Sequence, residues 1–164
     1  MPSTDTALPA VAEAEIATLV RSVVSGLDDV CRTERVFARG AVHAGGPHYR
    51  IAGTLGPISI GEDECAAFGR VVAAFRPARC FMIGNAFGLS SVFIAKAMEL
   101  HGGVAVVTLD NQSEGDGALW VAVSGALRDR LGARLLLNRI GASPQDVPAA
   151  AGAALYDLVF IGAT

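Results

Sequence analysis

Three short stretches of this 164-residue chain carry residue types at spacings that could do chemistry. The first is Cys80-Phe81-Met82-Ile83-Gly84-Asn85-Ala86-Phe87-Gly88-Leu89-Ser90-Ser91. An apolar run enters a turn at Gly84 and leaves it after Gly88 into a helical pattern. A strand–turn–helix of this kind presents unpaired backbone N–H groups and the positive end of a helix dipole to a ligand, and Ser90 adds a hydroxyl. Alone, G-x-x-x-G fits a plain turn equally well. The second is Asp110, which closes the next apolar run 26 residues beyond Gly84. In an open parallel sheet, an acid ending the strand beside the first turn can accept both hydroxyls of a ribose. The third is Ile140-Gly141-Ala142-Ser143-Pro144-Gln145-Asp146-Val147-Pro148. Its small residues let a flat ring approach the backbone, and Ser143 and Gln145 could bond the ring's edge. The same residues also read as a helix cap, with Ser143 at the cap and Pro144 in the first turn.

Other reactive side chains are less telling. His43 and His48 lie in a Gly-rich stretch that could close over such a site as a lid, and either could serve as a general base. An exposed loop histidine is the plainer reading of both. His101 falls at the far end of the helix that starts after Gly88, ~18 Å away at 1.5 Å per residue. That position suits a structural cation at a helix C-terminus. Arg32, Arg35 and Arg39 could line one side of a short helix and meet an anion, although a solvated face is the commoner use of such a run. Trp120, the single tryptophan, suits either a core or a cofactor wall.

The elements that must position these groups follow from periodicity. Ile16, Leu19, Val20, Val23, Val24 and Leu27 mark one face of a helix that ends near Gly26–Asp29, with a second short helix carrying the arginines. Residues 40–61 are rich in Gly and Pro and read as loop with short extended pieces. An acidic start at Glu62-Asp63-Glu64 opens a helix whose apolar face is Cys65, Phe68, Val72 and Phe75, stopped by Pro77. Strands and helices then alternate: strand 80–83, helix 89–100, strand 104–109, helix 119–131, strand 134–140, short helix 145–151, strand 155–161. Apolar strands alternating with helices predict a Rossmann-like, doubly wound α/β fold, its mostly parallel sheet covered by helices on both faces. We divide the chain into an N-terminal helical and loop segment, 1–61, on the lid and substrate side, and a nucleoside-binding core, 62–164.

Composition narrows the function classes. The chain is 52% hydrophobic and 18% charged, with a formal net charge of -3. It has apolar residues enough for a core and no basic excess to suggest nucleic-acid binding. No apolar run approaches the ~18–20 residues of a membrane span, and the N-terminus lacks the pattern of a signal peptide. Cys31, Cys65 and Cys80 are odd in number, far apart and form no C-x-x-C pair, which argues against a disulfide framework and for a reducing, cytoplasmic setting.

Taken together, the motifs resemble those of class I S-adenosylmethionine-dependent methyltransferases, in particular the small O-methyltransferase branch that includes the catechol and caffeoyl-CoA enzymes. IGNAFGLSS resembles the branch's first motif, TLDN its ribose-binding acid, and IGASPQD its adenine-bordering segment with Pro144 as an extra residue. GPISIGEDE resembles the segment flanking the methionine end, and YDLVFI the fourth strand; the resemblance spans about residues 57–162. It implies S-adenosylmethionine as cofactor, S-adenosylhomocysteine as product and a small-molecule acceptor, most simply methylated at oxygen. It also implies cofactor contacts from Ser59, Gly84, Asn85, Ala86, Phe87, Gly88, Ser90, Asp110, Asn111, Ala142, Ser143 and Gln145.

Two departures stand out. Met82 occupies the place of the acid that supports the cofactor's amino-acid end. Gly162 follows the fourth strand where metal-dependent relatives carry an Asp, so no metal site is expected. The family sheet has seven strands and this chain supplies four, so the core is expected to be C-terminally incomplete, with a remainder, a homo-oligomer or a partner chain completing the sheet. Two alternatives compete: a nicotinamide-dependent oxidoreductase, which wants G-x-G-x-x-G where Ala86 stands, and a non-catalytic binding or assembly subunit that keeps the fold.

Overall fold

The computed structural model describes residues 10–33, 38–39, 48–51, 54–57, 61–111, 117–140, 145–147 and 152–162. Four parallel strands form the main sheet: β4 (Arg79–Ile83), β5 (Ala105–Asp110), β6 (Leu136–Ile140) and β7 (Leu158–Ile161), in the order β6-β5-β4-β7. Their registers align Phe81 with Val107 and Val159, and Val107 with Leu137. Three earlier strands, β1 (Ala38–Arg39), β2 (His48–Ile51) and β3 (Thr54–Pro57), make a separate antiparallel sheet. β2 and β3 are the short extended pieces expected within the Gly/Pro-rich stretch 40–61; β1 precedes it.

Alternation along the strands sorts the sheet's two faces. Cys80, Met82, Val106 and Leu136 point into one large core with α1 (Ala10–Thr33), α2 (Glu62–Phe75), α3 (Leu89–Glu99) and α4 (Gly117–Leu131). Phe81, Val107 and Leu109 point the other way and meet Ile83, Val147 from the helical pair 146–147, and Tyr156. On that second face Leu137, Val159 and Ile161 are 47%, 57% and 67% exposed, a row of apolar side chains flanking buried ones. The α/β fold class expected from the alternating pattern is the one observed.

The central helix is α3. It is buried almost all round, from Leu89 to Ala95 and at Ala97 and Met98, as expected of a helix enclosed by neighbours rather than resting on a surface. Phe93 and Ile94 are fully buried; truncating such side chains costs roughly 2–5 kcal/mol. Among the described residues no helix is long and apolar enough to cross a membrane.

Three sequence expectations fail in the N-terminal half. The first helix does not stop near Gly26–Asp29 but runs on to Thr33. Gly26 is buried inside it, where a Cβ would stand 3.3 Å from methyls of Leu127 and Leu131. The glycine is there for close approach to α4, not as a stop. Asp29 accepts from the Arg130 guanidinium across the same contact. The second short helix is absent among the described residues, because Arg32 belongs to α1 and Arg39 to β1; Arg35 lies outside them. Phe75 also departs from its expected place on the buried face, being 79% exposed. The buried stripe of α2 is Cys65, Gly69, Val72 and Ala73, and the 3.6-residue repeat turns Phe75 away from it.

Candidate functional site

The site is built at the carboxyl end of β4. Residues 84–88 leave the strand and enter α3 through three positive φ angles: Gly84 (88°), Ala86 (44°) and Gly88 (83°). Gly84 N–H donates to Leu109 O at 2.8 Å, which fixes the turn beside the end of β5. Gly88 N–H donates to Asn85 O at 2.7 Å, and Val92 N–H to Gly88 O at 2.9 Å, starting the helix. Gly88 has two reasons to be glycine. A left-handed conformation costs other residues roughly 1–2 kcal/mol, and a Cβ here would lie 2.5 Å from Ser124 Oγ.

Asp110 stands on the same rim. Its Oδ2 accepts from Asn85 N–H at 2.5 Å and from Ala86 N–H at 3.0 Å. One carboxylate oxygen of β5 therefore holds two consecutive amides of the loop after β4, a charge-assisted pair of bonds. Asn111 follows as an exposed residue. The structure thus brings Gly84, Asn85, Ala86, Gly88, Asp110 and Asn111 together at one edge of the sheet.

Phe87 is fully buried in the main core, so the loop is anchored from below by that ring. Ser90 is 8% exposed in the first turn of α3. Gln145 is exposed, beyond the end of β6. Ser59, Ala142, Ser143 and His43 lie outside the described residues. His48 begins β2, paired with Pro57 of β3, and Trp120 lies on α4.

Met82 is 0% exposed in the core between β4 and the helices. A carboxylate at that position would be buried in apolar surroundings, at a cost of several kcal/mol. A methionine there is therefore in keeping with the packing around it. Cys65 and Cys80 are buried free thiols. Burial pushes both up to about 12, with the charges of Glu64 and Glu62 adding to the effect at Cys65, so neither supplies a thiolate near neutral pH. Among the described residues no three His, Cys, Asp or Glu side chains gather to hold a metal ion, and Gly162, after β7, donates its N–H to Ile83 O at 2.8 Å.

Hydrogen-bonded polar side chains lie under the loop. Ser91 Oγ donates to Asn85 Oδ1 at 2.5 Å and to Gly88 O at 3.2 Å. Asn85 Nδ2 and Asn138 Nδ2 both donate to Ser124 Oγ, at 3.0 and 3.2 Å. Thr108 Oγ1 donates to Asn138 Oδ1 at 2.8 Å. Sequence reasoning missed Ser91, Thr108, Ser124 and Asn138. A signal existed: Thr108 and Asn138 are polar interruptions of two apolar strands, and they pair in register.

No protein-family model matches the chain, and no curated protein matches it. Solved structures do. The O-methyltransferase from Bacillus cereus, in complex with SAH, superposes with a TM-score of 0.60 at 18% identity, covering 85% of this chain and 54% of that one. The SAH-bound methyltransferase PaMTH1 of Podospora anserina gives 0.56 at 16% identity, over 64% and 42%. TomG, an O-methyltransferase of Streptomyces achromogenes involved in tomaymycin synthesis, in complex with SAM, gives 0.55 at 20%, over 65% and 46%. The chain spans about half the length of these structures. Its fold is the Rossmann-like α/β fold that these structures share.

Proposed function

We propose that this chain binds S-adenosylmethionine at the β4–α3 rim and serves methyl transfer to a small-molecule acceptor, at oxygen, releasing S-adenosylhomocysteine. The observation that carries the reading is the shared rim: Gly84 bonded to Leu109, and Asp110 bonded to Asn85 and Ala86. It occurs in the fold that the SAM- and SAH-bound neighbours share. The residues present fit a nucleoside. A carboxylate provides about four lone-pair positions, so bracing the loop and accepting ribose hydroxyls are compatible tasks for Asp110.

In this reading Gly84, Asn85, Ala86, Phe87 and Gly88 contribute backbone to the cofactor, Ser90 a hydroxyl in the first turn of α3, and Asp110 the ribose acceptor. Asn111 and the segment Ala142, Ser143 and Gln145 border the nucleoside, and Ser59 flanks its far end. The bound cofactor supplies an activated methyl on a sulfonium. The chain's task is to align donor and acceptor and to exclude water, worth up to roughly 7–11 kcal/mol in favourable cases. We assign the acceptor side to residues 1–61, with His43 and His48 as candidate general bases for an oxygen nucleophile. A cytoplasmic setting accords with the free thiols of Cys65 and Cys80. Among the described residues β7 pairs with β4 alone, and the backbone groups along its other side make that edge the place where a further strand would join the sheet.

Calorimetry tests the reading. Micromolar binding of S-adenosylhomocysteine, with affinity reduced about tenfold or more in Asp110→Ala, is expected; losing a hydrogen bond to a charged group costs ~1.5–3 kcal/mol. Equal binding by wild type and variant would remove the ribose assignment. Binding of NAD instead would support an oxidoreductase, and binding of neither a non-catalytic subunit.

A further inference from the structure

Beneath the rim runs a continuous chain of side-chain hydrogen bonds: Thr108 to Asn138, Asn138 to Ser124, Asn85 to Ser124, Ser91 to Asn85. It crosses β5, β6, α4, the loop and α3. Ser91, Thr108 and Ser124 are each 0% exposed. Buried polar groups are costly when unpaired and rigid when fully paired, so a chain of three buried and two half-buried polar residues beside an apolar core calls for a reason. Core packing alone would be served by apolar residues in the same places.

The geometry supplies the reason. Ser124 Oγ takes two amide N–H groups at once, one from the loop and one from β6. It also sits where a Cβ on Gly88 would be. Asn85 is held at both ends of its carboxamide, by Ser91 and Ser124, while its backbone N–H is held by Asp110. The loop's left-handed turns at Ala86 and Gly88 are thus pinned from below by side chains and from beside by a carboxylate.

We infer that Asn85, Ser91, Ser124, Asn138 and Thr108 are positioning residues, which hold loop 84–88 in its ligand-ready shape before any cofactor arrives. The inference rests on the cofactor reading above and extends it to the side chain of Asn85 and to four residues outside the assigned cofactor contacts. Preorganisation of this kind raises affinity by removing the ordering cost of binding. Its mark is that affinity falls further than stability alone explains.

The test measures S-adenosylhomocysteine binding and melting temperature together for wild type, Ser124→Ala, Thr108→Val, Thr108→Ser and Asp157→Ala. Asp157 braces the opposite end of β4 and serves as the stability control. Ser124→Ala should weaken binding about tenfold and speed amide hydrogen exchange at Asn85, Ala86 and Gly88 in the ligand-free protein. Thr108→Val, which keeps the buried shape, should show a smaller loss of the same kind, restored by Thr108→Ser. Asp157→Ala should melt earlier yet bind as wild type does. Should Ser124→Ala not fold, the Thr108 pair decides. If wild type binds and Ser124→Ala and Thr108→Val bind equally well, the positioning role is wrong and the cofactor reading stands. If wild type itself does not bind, both fall.

Discussion

The two ends of β4 use the same local chemistry. At the amino end, Asp157 Oδ2 accepts from the N–H groups of Ala78 and Arg79, at 2.8 and 3.0 Å. At the carboxyl end, Asp110 Oδ2 accepts from those of Asn85 and Ala86. A carboxylate gripping two consecutive amides is therefore not by itself a site. At the amino end the clamp simply ties the start of β4 to the approach of β7. At the carboxyl end it closes on a loop with three positive φ angles, an eleven-residue buried helix begins directly after it, and a polar chain lies below. Those additions are what our proposed reading relies on to distinguish a ligand site from a structural clip.

Breaking the comparison at its strongest point means filling the space under the loop. Gly88→Ala adds a methyl 2.5 Å from Ser124 Oγ at a φ of 83°. We expect it to lose at least ~2 kcal/mol of stability and at least tenfold in S-adenosylhomocysteine affinity, read by thermal melting and calorimetry. Unchanged values for both would mean that the close α3–α4 approach is not what shapes the loop.

The second experiment sharpens the contrast directly. Asp157→Ala should cost about 1 kcal/mol, because the amides it releases are exposed and can turn to water, and should leave affinity untouched. A matching fall in affinity would erase the distinction between the two clamps.

The smallest expected effect lies away from both. Glu13 and Arg70 join α1 to α2 at 2.9 Å on an exposed face, and the hydrogen bond from Arg70 holds the Glu13 carboxyl below its usual value. A lowered carboxylate stabilises the fold above its unfolded pKa, and that contribution disappears as pH falls through the folded one. Glu13→Gln should therefore flatten the acid limb of the stability curve slightly, with no change at neutral pH in ligand binding. Solvent screens such pairs strongly, so an effect larger than that of Asp157→Ala would contradict the ordering.

Much of this was legible in the sequence because it rests on local pattern. The apolar, β-branched run before Asp110 and the Gly84–Gly88 spacing fixed which strand ends and which turn meet. What could not be read was mostly long-range. Gly26 looked like a stop because its packing partners, Leu127 and Leu131, lie a hundred residues away in sequence. Phe75 looked like core because a helical face was drawn from apolar type rather than from the angle set by Gly69 and Ala73. Ser124 was invisible because nothing on α4 marks it until Gly88 is brought against it. Met82 stood out only as a departure from the expected acid, and becomes intelligible once the strand face it occupies is known.

The rim also has a thermodynamic corollary. Asn85 and Asp110 are 25 residues apart, so their junction does not exist in the unfolded chain, and whatever seats there stabilises only the folded state. A ligand at a hundred times its dissociation constant adds about 2.7 kcal/mol. For a chain of this size that corresponds to a rise of roughly 5–11 °C in the melting midpoint, so a simple thermal-shift screen of nucleosides would double as a probe of whether the rim has assembled.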